Sequence, residues 1–104
     1  MSAPLILRTQ RGTDGRLAVL VAGEIDASNV TEFAEAVTAA TADTVDTVVV
    51  DLSAVEYMDS AAINALAPHA ESLEIVANPV LMRVLTVSGL AELAKVRQSP
   101  ADRR

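Results

Sequence analysis

The stretch VVVDLSAVEYMDSAAINAL, residues 48–66, decides how this chain folds. Its Val-rich start predicts a strand that is buried on both faces of a parallel sheet, followed by a polar turn. Asp59 and Ser60 come directly before an apolar helical pattern, and both residue types favour the N-cap of a helix because their side-chain oxygens accept free N–H groups. The same helix end attracts an anion. Ser60 therefore has two interpretations, a helix cap or an acceptor of a phosphoryl group.

Two strands and a helix precede this stretch. Residues 5–10 and 16–21 read as strands joined by the turn sequence Gly12-Thr13-Asp14-Gly15, which predicts an antiparallel hairpin. Gly23-Glu24-Ile25-Asp26 ends the second strand. An apolar period of 3.6 residues then predicts a helix over residues 29–41. The candidates for its cap are Ser28, Asn29 and Thr31.

The remainder of the chain alternates between strands and helices. In chain order, the pattern predicts a strand over 44–52, a helix from Ser60 that Pro68 kinks or shortens, a strand over 73–77, a helix from Asn78-Pro79 to Ser88-Gly89, a strand over 90–96 and a polar tail over 98–104. This order indicates an α/β fold, a small mixed sheet of four to five strands with helices packed on it. We expect one domain over residues 1–104 with its core at about 5–97. The Asp59–Ser60 motif then lies at the carboxyl end of a central strand, where open α/β sheets place their sites.

The composition excludes several classes of function. The 104 residues carry a net charge of −6 and only 2% aromatic residues, so the chain lacks the basic stripe and the stacking side chains that nucleic-acid binding requires. No cysteine is present, which excludes disulfides and thiolate chemistry. The first residues lack the pattern of a signal peptide, and no apolar run is long enough to span a membrane. We therefore expect a cytoplasmic protein without membrane insertion.

Three motifs together resemble a known family. Residues 51–60, DLSAVEYMDS, followed by an apolar helix, are similar to the signature of the STAS domain of bacterial anti-sigma factor antagonists. Gly23-Glu24-Ile25-Asp26 resembles the turn after that family's second strand, and Ser88-Gly89-Leu90 resembles a motif near the end of its third helix. The resemblance extends from about Leu5 to Val96, with the motifs in the family's order.

The resemblance implies a partner-switching regulator. Such an antagonist binds, when unphosphorylated, an anti-sigma factor that is also a Ser/Thr protein kinase, and the sigma factor is released. The kinase phosphorylates a serine at a helix start, here Ser60, beside the acidic Asp59, and a metal-dependent protein phosphatase reverses the step. By the same resemblance we expect the partner to contact Asp26, Ser28, Met58, Asp59, Ser60, Ala61, Ala62 and Asn64. The chain departs from the family pattern at Ala61 and Ala62, where Ser or Thr and then Gly are usual, and the added methyl of Ala62 is expected where a partner approaches.

Other interpretations stay open at this point. STAS domains also serve as subunits of transport assemblies or as nucleotide-sensing modules without a phosphorylation switch. A small hydrolase or transferase that uses Asp51, Asp59 and His69 fits the sequence poorly, and Glu24 with Asp26 suits a turn better than a Mg²⁺ site or acid–base pair. We expect no cofactor, no metal and no enzymatic activity.

Overall fold

A five-stranded mixed sheet organises the chain, and its strands follow the order β1-β2-β3-β4-β5. The computed structural model describes residues 4–99. Its elements are β1 (Ile6–Arg11), β2 (Leu17–Ile25), α1 (Val30–Ala42), β3 (Val48–Met58), α2 (Ser60–Leu66), a 3-10 helix (Ala67–Ser72), β4 (Leu73–Ala77), α3 (Pro79–Val87), α4 (Leu90–Leu93) and β5 (Lys95–Gln98). β1 and β2 form the predicted antiparallel hairpin, and every later pairing is parallel. The predicted mixed α/β sheet is therefore confirmed.

All of the long helices pack on one face of the sheet. Each parallel crossover moves to the next strand in the same direction, and the usual right-handed connection then places every helix on the same side. The burial pattern agrees, because Leu17, Val19 and Val21 of β2 belong to the hydrophobic core while the alternate residues Ala18 and Leu20 are half-buried and lie outside it. The core thus sits between the helices and one face of the sheet. None of the helices between residues 4 and 99 is long and apolar enough to cross a membrane.

The strands β2 and β3 are longer than the sequence predicts. β3 begins at Val48 rather than at residue 44, and it continues through the predicted polar turn to Met58. β2 likewise runs through the predicted turn at 23–26 as far as Ile25. Each strand supplies the other with a partner along this extension, and two register shifts absorb the irregular spacing. The predicted burial of β3 on both faces is wrong, since Val49 and Asp51 are only half-buried, whereas β4 is buried along its whole length.

Proline residues and cap residues set most of the bounds of the helices. α2 ends at Leu66 and a 3-10 helix with Pro68 in its first turn follows, which confirms the predicted interruption. α3 starts with Asn78 as its cap and Pro79 as its first residue, also as predicted. The predicted strand over 90–96 is wrong in its first half, because Gly89 adopts a positive φ of 87° and a second short helix, α4, begins at once. The last strand starts at Lys95 and ends at Gln98, so Gln98 is not part of a tail, and residues 100–104 lie outside the described residues.

An ion-pair network lies on the helix-free face of the sheet. Glu74 of β4 is 8% exposed and accepts hydrogen bonds from Arg16 Nη1 at 2.7 Å and from Arg97 Nε at 2.6 Å. These two guanidinium groups, Arg16 first, lower the pKa of the Glu74 carboxyl below its ordinary value. The network joins the start of β2, β4 and β5 across the sheet.

Gly23→Ala should destabilise the protein strongly. Gly23 has a φ of +97°, and an added Cβ would stand 1.9 Å from the carbonyl oxygen of Pro4. We expect a loss of about 2 kcal/mol or more in the free energy of unfolding, measured by urea denaturation. The matched control is Gly15→Ala, which has a φ of +87° with no atom within 4 Å and should lose only about 1 kcal/mol from backbone strain. Equal losses in the two variants would contradict the close approach of Pro4.

Glu74→Gln should remove a pH-dependent part of the stability. Because the folded pKa of Glu74 is lowered from 4.5, its contribution is complete above that pH and disappears as the pH falls through the folded value. The stability difference between wild type and Glu74→Gln, measured by urea denaturation, should therefore be largest near neutral pH and shrink below pH 4.5. Glu71→Gln, at an exposed glutamate of the 3-10 helix, is the control. A difference that does not change with pH would show that the charge of Glu74 is not involved.

Candidate functional site

The carboxyl ends of β2 and β3 bring two of the sequence motifs together. Ile25 pairs with Met58 at the end of the parallel ladder, and the N–H of Asp59 donates to the carbonyl oxygen of Ile25 at 3.3 Å. Asp26 and Ser28 follow β2 directly, while Asp59 and Ser60 follow β3. Two motifs that are distant in the sequence therefore lie at one edge of the sheet, on the side where the helices begin.

Asp59, and not Ser60, caps helix α2. Asp59 has extended backbone angles, and its Oδ1 accepts a hydrogen bond from the N–H of Ala61 at 2.9 Å. Ser60 is the first residue of the helix and is exposed. Within residues 4–99, the Ser60 hydroxyl forms no hydrogen bond. The interpretation of Ser60 as the helix cap is thus wrong, because the cap is the preceding residue, Asp59. The hydroxyl of Ser60 is left accessible.

The loop after β2 is held by side-chain bonds to its own backbone. Both the N–H and the hydroxyl of Ser28 donate to Oδ1 of Asp26, at 2.9 and 2.5 Å. The hydroxyl of Ser28 contributes most to lowering the pKa of the Asp26 carboxyl, followed by the Ser28 N–H. Asn29 occupies the cap position of α1, but its amide bonds the backbone of Glu24 and Asp26 instead of the first helical turn. Asp26 is therefore a fixed and ionised carboxylate beside the start of α1.

The predicted partner contacts divide according to burial. Ser28, Ser60 and Asn64 are exposed, and Asp26, Asp59 and Ala61 are half-buried. We call these six residues the Ser60 surface. Met58 and Ala62 are 3% and 0% exposed, because both face the hydrophobic core, so the expectation that they contact a partner is corrected. The methyl of Ala62 points into this protein and not towards a partner.

Two further features lie next to the Ser60 surface. Tyr57 is 49% exposed and lies just before the motif, in the part of β3 that extends through the predicted turn. A shallow groove of about 580 Å³ lies between α1 and α2, and Ala61 and Asn64 line it together with Thr31, Ala34 and Glu35. Small side chains at a helical spacing in both helices are the signal from which this groove is predictable. The Ser60 surface thus has an apolar depression at its border.

The residues of the hydrolase hypothesis do not assemble into one site. Asp51 accepts from the N–H and hydroxyl of Ser53 and lies on the helix-free face, since its neighbours Val50 and Leu52 face the core. His69 lies on the opposite side, where its ring nitrogens contact the hydroxyls of Thr38 and Thr41 at 3.2 and 3.4 Å. Within residues 4–99, no group of three or more His, Asp or Glu could hold a metal ion. Asp51 and His69 therefore lie on opposite sides of the sheet.

Comparisons with known proteins identify a family and a shared fold. The sequence matches the STAS domain family over residues 7–102. An anti-sigma factor antagonist from Mycobacterium paratuberculosis is 30% identical, with 92% of this chain and 89% of that chain covered and a TM-score of 0.80. The anti-sigma factor antagonist SpoIIAA, in its unphosphorylated form, shares the fold at 16% identity, with 91% and 89% covered and a TM-score of 0.71. A protein with a SpoIIAA-like fold from Shewanella loihica is 11% identical, with 97% and 88% covered and a TM-score of 0.63. No curated protein matches the sequence.

Removing the cap should separate the roles of the two neighbouring side chains. Asp59→Ala should lower the free energy of unfolding by about 1 kcal/mol, because the N–H of Ala61 loses its partner. Ser60→Ala is the matched control and should change it by less than about 0.5 kcal/mol, since no hydrogen bond is lost. Urea denaturation of both variants at neutral pH gives the comparison. An equal loss in Ser60→Ala would mean that Ser60 contributes to the cap.

Proposed function

This chain belongs to the STAS domain family, and we propose that it is an anti-sigma factor antagonist that phosphorylation of Ser60 switches off. The observation that carries the proposal is the exposed, uncommitted hydroxyl of Ser60 at the edge where Asp26 and Asp59 meet. Asp59 satisfies the helix start, so modification of Ser60 costs the fold no hydrogen bond. The 30% identity to an anti-sigma factor antagonist from Mycobacterium paratuberculosis supports the same role for this chain.

In the unphosphorylated state the Ser60 surface binds an anti-sigma factor that is also a Ser/Thr protein kinase. Its exposed hydroxyl and amide groups supply hydrogen bonds, and the adjoining groove between α1 and α2 offers apolar area to a partner. Binding of the antagonist withdraws the anti-sigma factor from its sigma factor. The protein therefore acts by occupying a partner, without a reaction of its own, and this role belongs to the bacterial cytoplasm.

The phosphorylated state loses the partner through local charge. A phosphoryl group adds roughly −1.5 to −2 charges at neutral pH. At Ser60 this charge stands next to Asp59 and across the edge from the ionised Asp26, in a protein whose net charge is already −6. Repulsion and desolvation of about 1.4 kcal/mol weaken a complex tenfold, so no change of fold is needed. A metal-dependent phosphatase returns the protein to the binding state.

Phosphorylation is tested with the full chain incubated with ATP in an extract of the source organism. We expect a gain of about 80 Da, the mass of one phosphoryl group, on the peptide that contains Ser60. Ser60→Ala should abolish this gain, and Ser72→Ala, at an exposed serine of the 3-10 helix outside the Ser60 surface, should leave it intact. A phosphoryl group on any other residue, or none at all, would contradict the proposal.

Binding is tested by capture of the anti-sigma factor from the same extract. Ser60→Glu should retain at least tenfold less of it than wild type, because the variant places a fixed negative charge at the edge. Ser60→Gln introduces a side chain of the same size as Ser60→Glu but without the charge. It should bind the anti-sigma factor nearly as well as wild type does. Equal capture by wild type and Ser60→Glu rules the switch out.

A further inference from the structure

The end of β3 leads directly into the Ser60 surface, and among residues 4–99 it has no neighbouring strand on one side. β3 pairs with β4 only from Val48 to Leu52, where β4 ends at Ala77. The residues from Ser53 to Met58 continue with β2 as their sole neighbouring strand. A strand edge without a partner presents free backbone groups and is less firmly fixed than a paired one.

The side chain of Asn78 occupies that edge. Its Nδ2 donates to the carbonyl oxygens of Ser53 at 3.2 Å and of Val55 at 2.8 Å. Carbonyls two residues apart point to the same side of a strand, and a side-chain amide has two hydrogens, so each hydrogen serves one carbonyl. The amide thus replaces part of the ladder that β4 does not extend far enough to supply.

The same side chain is anchored on its other side. Oδ1 of Asn78 accepts a hydrogen bond from the N–H of Leu81 at 3.0 Å and so caps helix α3. The opposite orientation of the amide would set its oxygen against two carbonyl oxygens, so these partners define which atom is which. Asn78 therefore ties the start of α3 to the end of β3.

We propose that Asn78 is a positioning residue for the Ser60 switch: by holding Ser53 and Val55 it fixes the strand end that presents Asp59 and Ser60 to the partner. Val55 lies in the last part of β3, close in sequence to Asp59, and the bond from the Asp59 N–H to Ile25 secures the other side of the strand. The segment is thus held from both sides, by β2 and by Asn78. The presentation of Ser60 to a partner rests on the proposed function, whereas the ordering of the end of β3 by Asn78 does not.

Two substitutions separate this role from helix capping. Asn78→Asp and Asn78→Ser both keep an oxygen that can cap α3, and both lose the amide hydrogens that bond Ser53 and Val55. Asn78→Asp adds a charge and Asn78→Ser does not, so an effect common to both comes from the lost bonds. Gln10→Glu, an amide-to-acid change on the exposed strand β1, controls for the added charge.

Hydrogen exchange of the backbone amides, measured by mass spectrometry on the full chain, reports the positioning directly. In both variants, peptides that cover residues 53–60 should exchange about tenfold faster than in wild type, as expected for the loss of ordinary hydrogen bonds. Peptides from β1 and α1 should exchange at the wild-type rate. The initial rate of Ser60 phosphorylation in the extract with ATP should fall about tenfold as well, and the Gln10→Glu control should match wild type in both measurements.

Each outcome decides a separate point. Unchanged exchange over residues 53–60 overturns the inference, and so does faster exchange with an unchanged rate of Ser60 phosphorylation. Acceleration over the whole chain also overturns it, because Asn78 would then act only on global stability. If wild type itself is not phosphorylated, the proposed function fails, and the exchange data alone then decide whether Asn78 orders the end of β3.

Discussion

The parallel pairing of β2 with β3 is the constraint on which the site depends. It continues beyond the end of β4 and stops only where Ile25 meets Met58. Because parallel strands end at the same edge, this pairing alone brings the loop that begins at Asp26 next to the helix that begins at Ser60. Gly23 lets β2 follow β3 this far, since its positive φ accommodates the register shift and the absence of a Cβ leaves space for Pro4. The sheet therefore determines which two motifs meet at the site.

Short polar side chains bond main-chain groups that the strands and helices leave without a partner. Asp59 satisfies the first turn of α2, Asn29 satisfies the backbone of the loop after β2, and Asn78 satisfies the end of β3. Each of them bonds main-chain groups that have no partner in a regular ladder or helix. Within residues 4–99, the side chain of Ser60 forms no such bond. A residue that can be modified without loss of structure is what a reversible chemical switch requires.

Elements that are bounded by proline or cap residues were predicted well from the sequence. Pro68 and the pair Asn78-Pro79 delimit β4, so its bounds at Leu73–Ala77 were predicted to the residue. The extension of β3 to Met58 was not, because residues 53–58 form a strand only where β2 supplies their partners. Leu90–Leu93 is a short apolar run of the kind whose period does not distinguish helix from strand. The edge with Asp59 and Ser60 was predictable from motifs, but the choice of Asp59 as the cap depends on a shift of one residue that propensity does not resolve.

The order of the strands has a consequence for how the molecule assembles. Each strand pairs with the one that precedes it in the sequence, so every pairing closes a loop no longer than one crossover. The entropy lost in closing such loops is therefore divided into steps of one connection each. The sheet can therefore grow outward from the β1–β2 hairpin, strand by strand. In that order the edge formed by Asp26 and Asp59 exists once the third strand has docked, and Asn78 arrives only with the fourth.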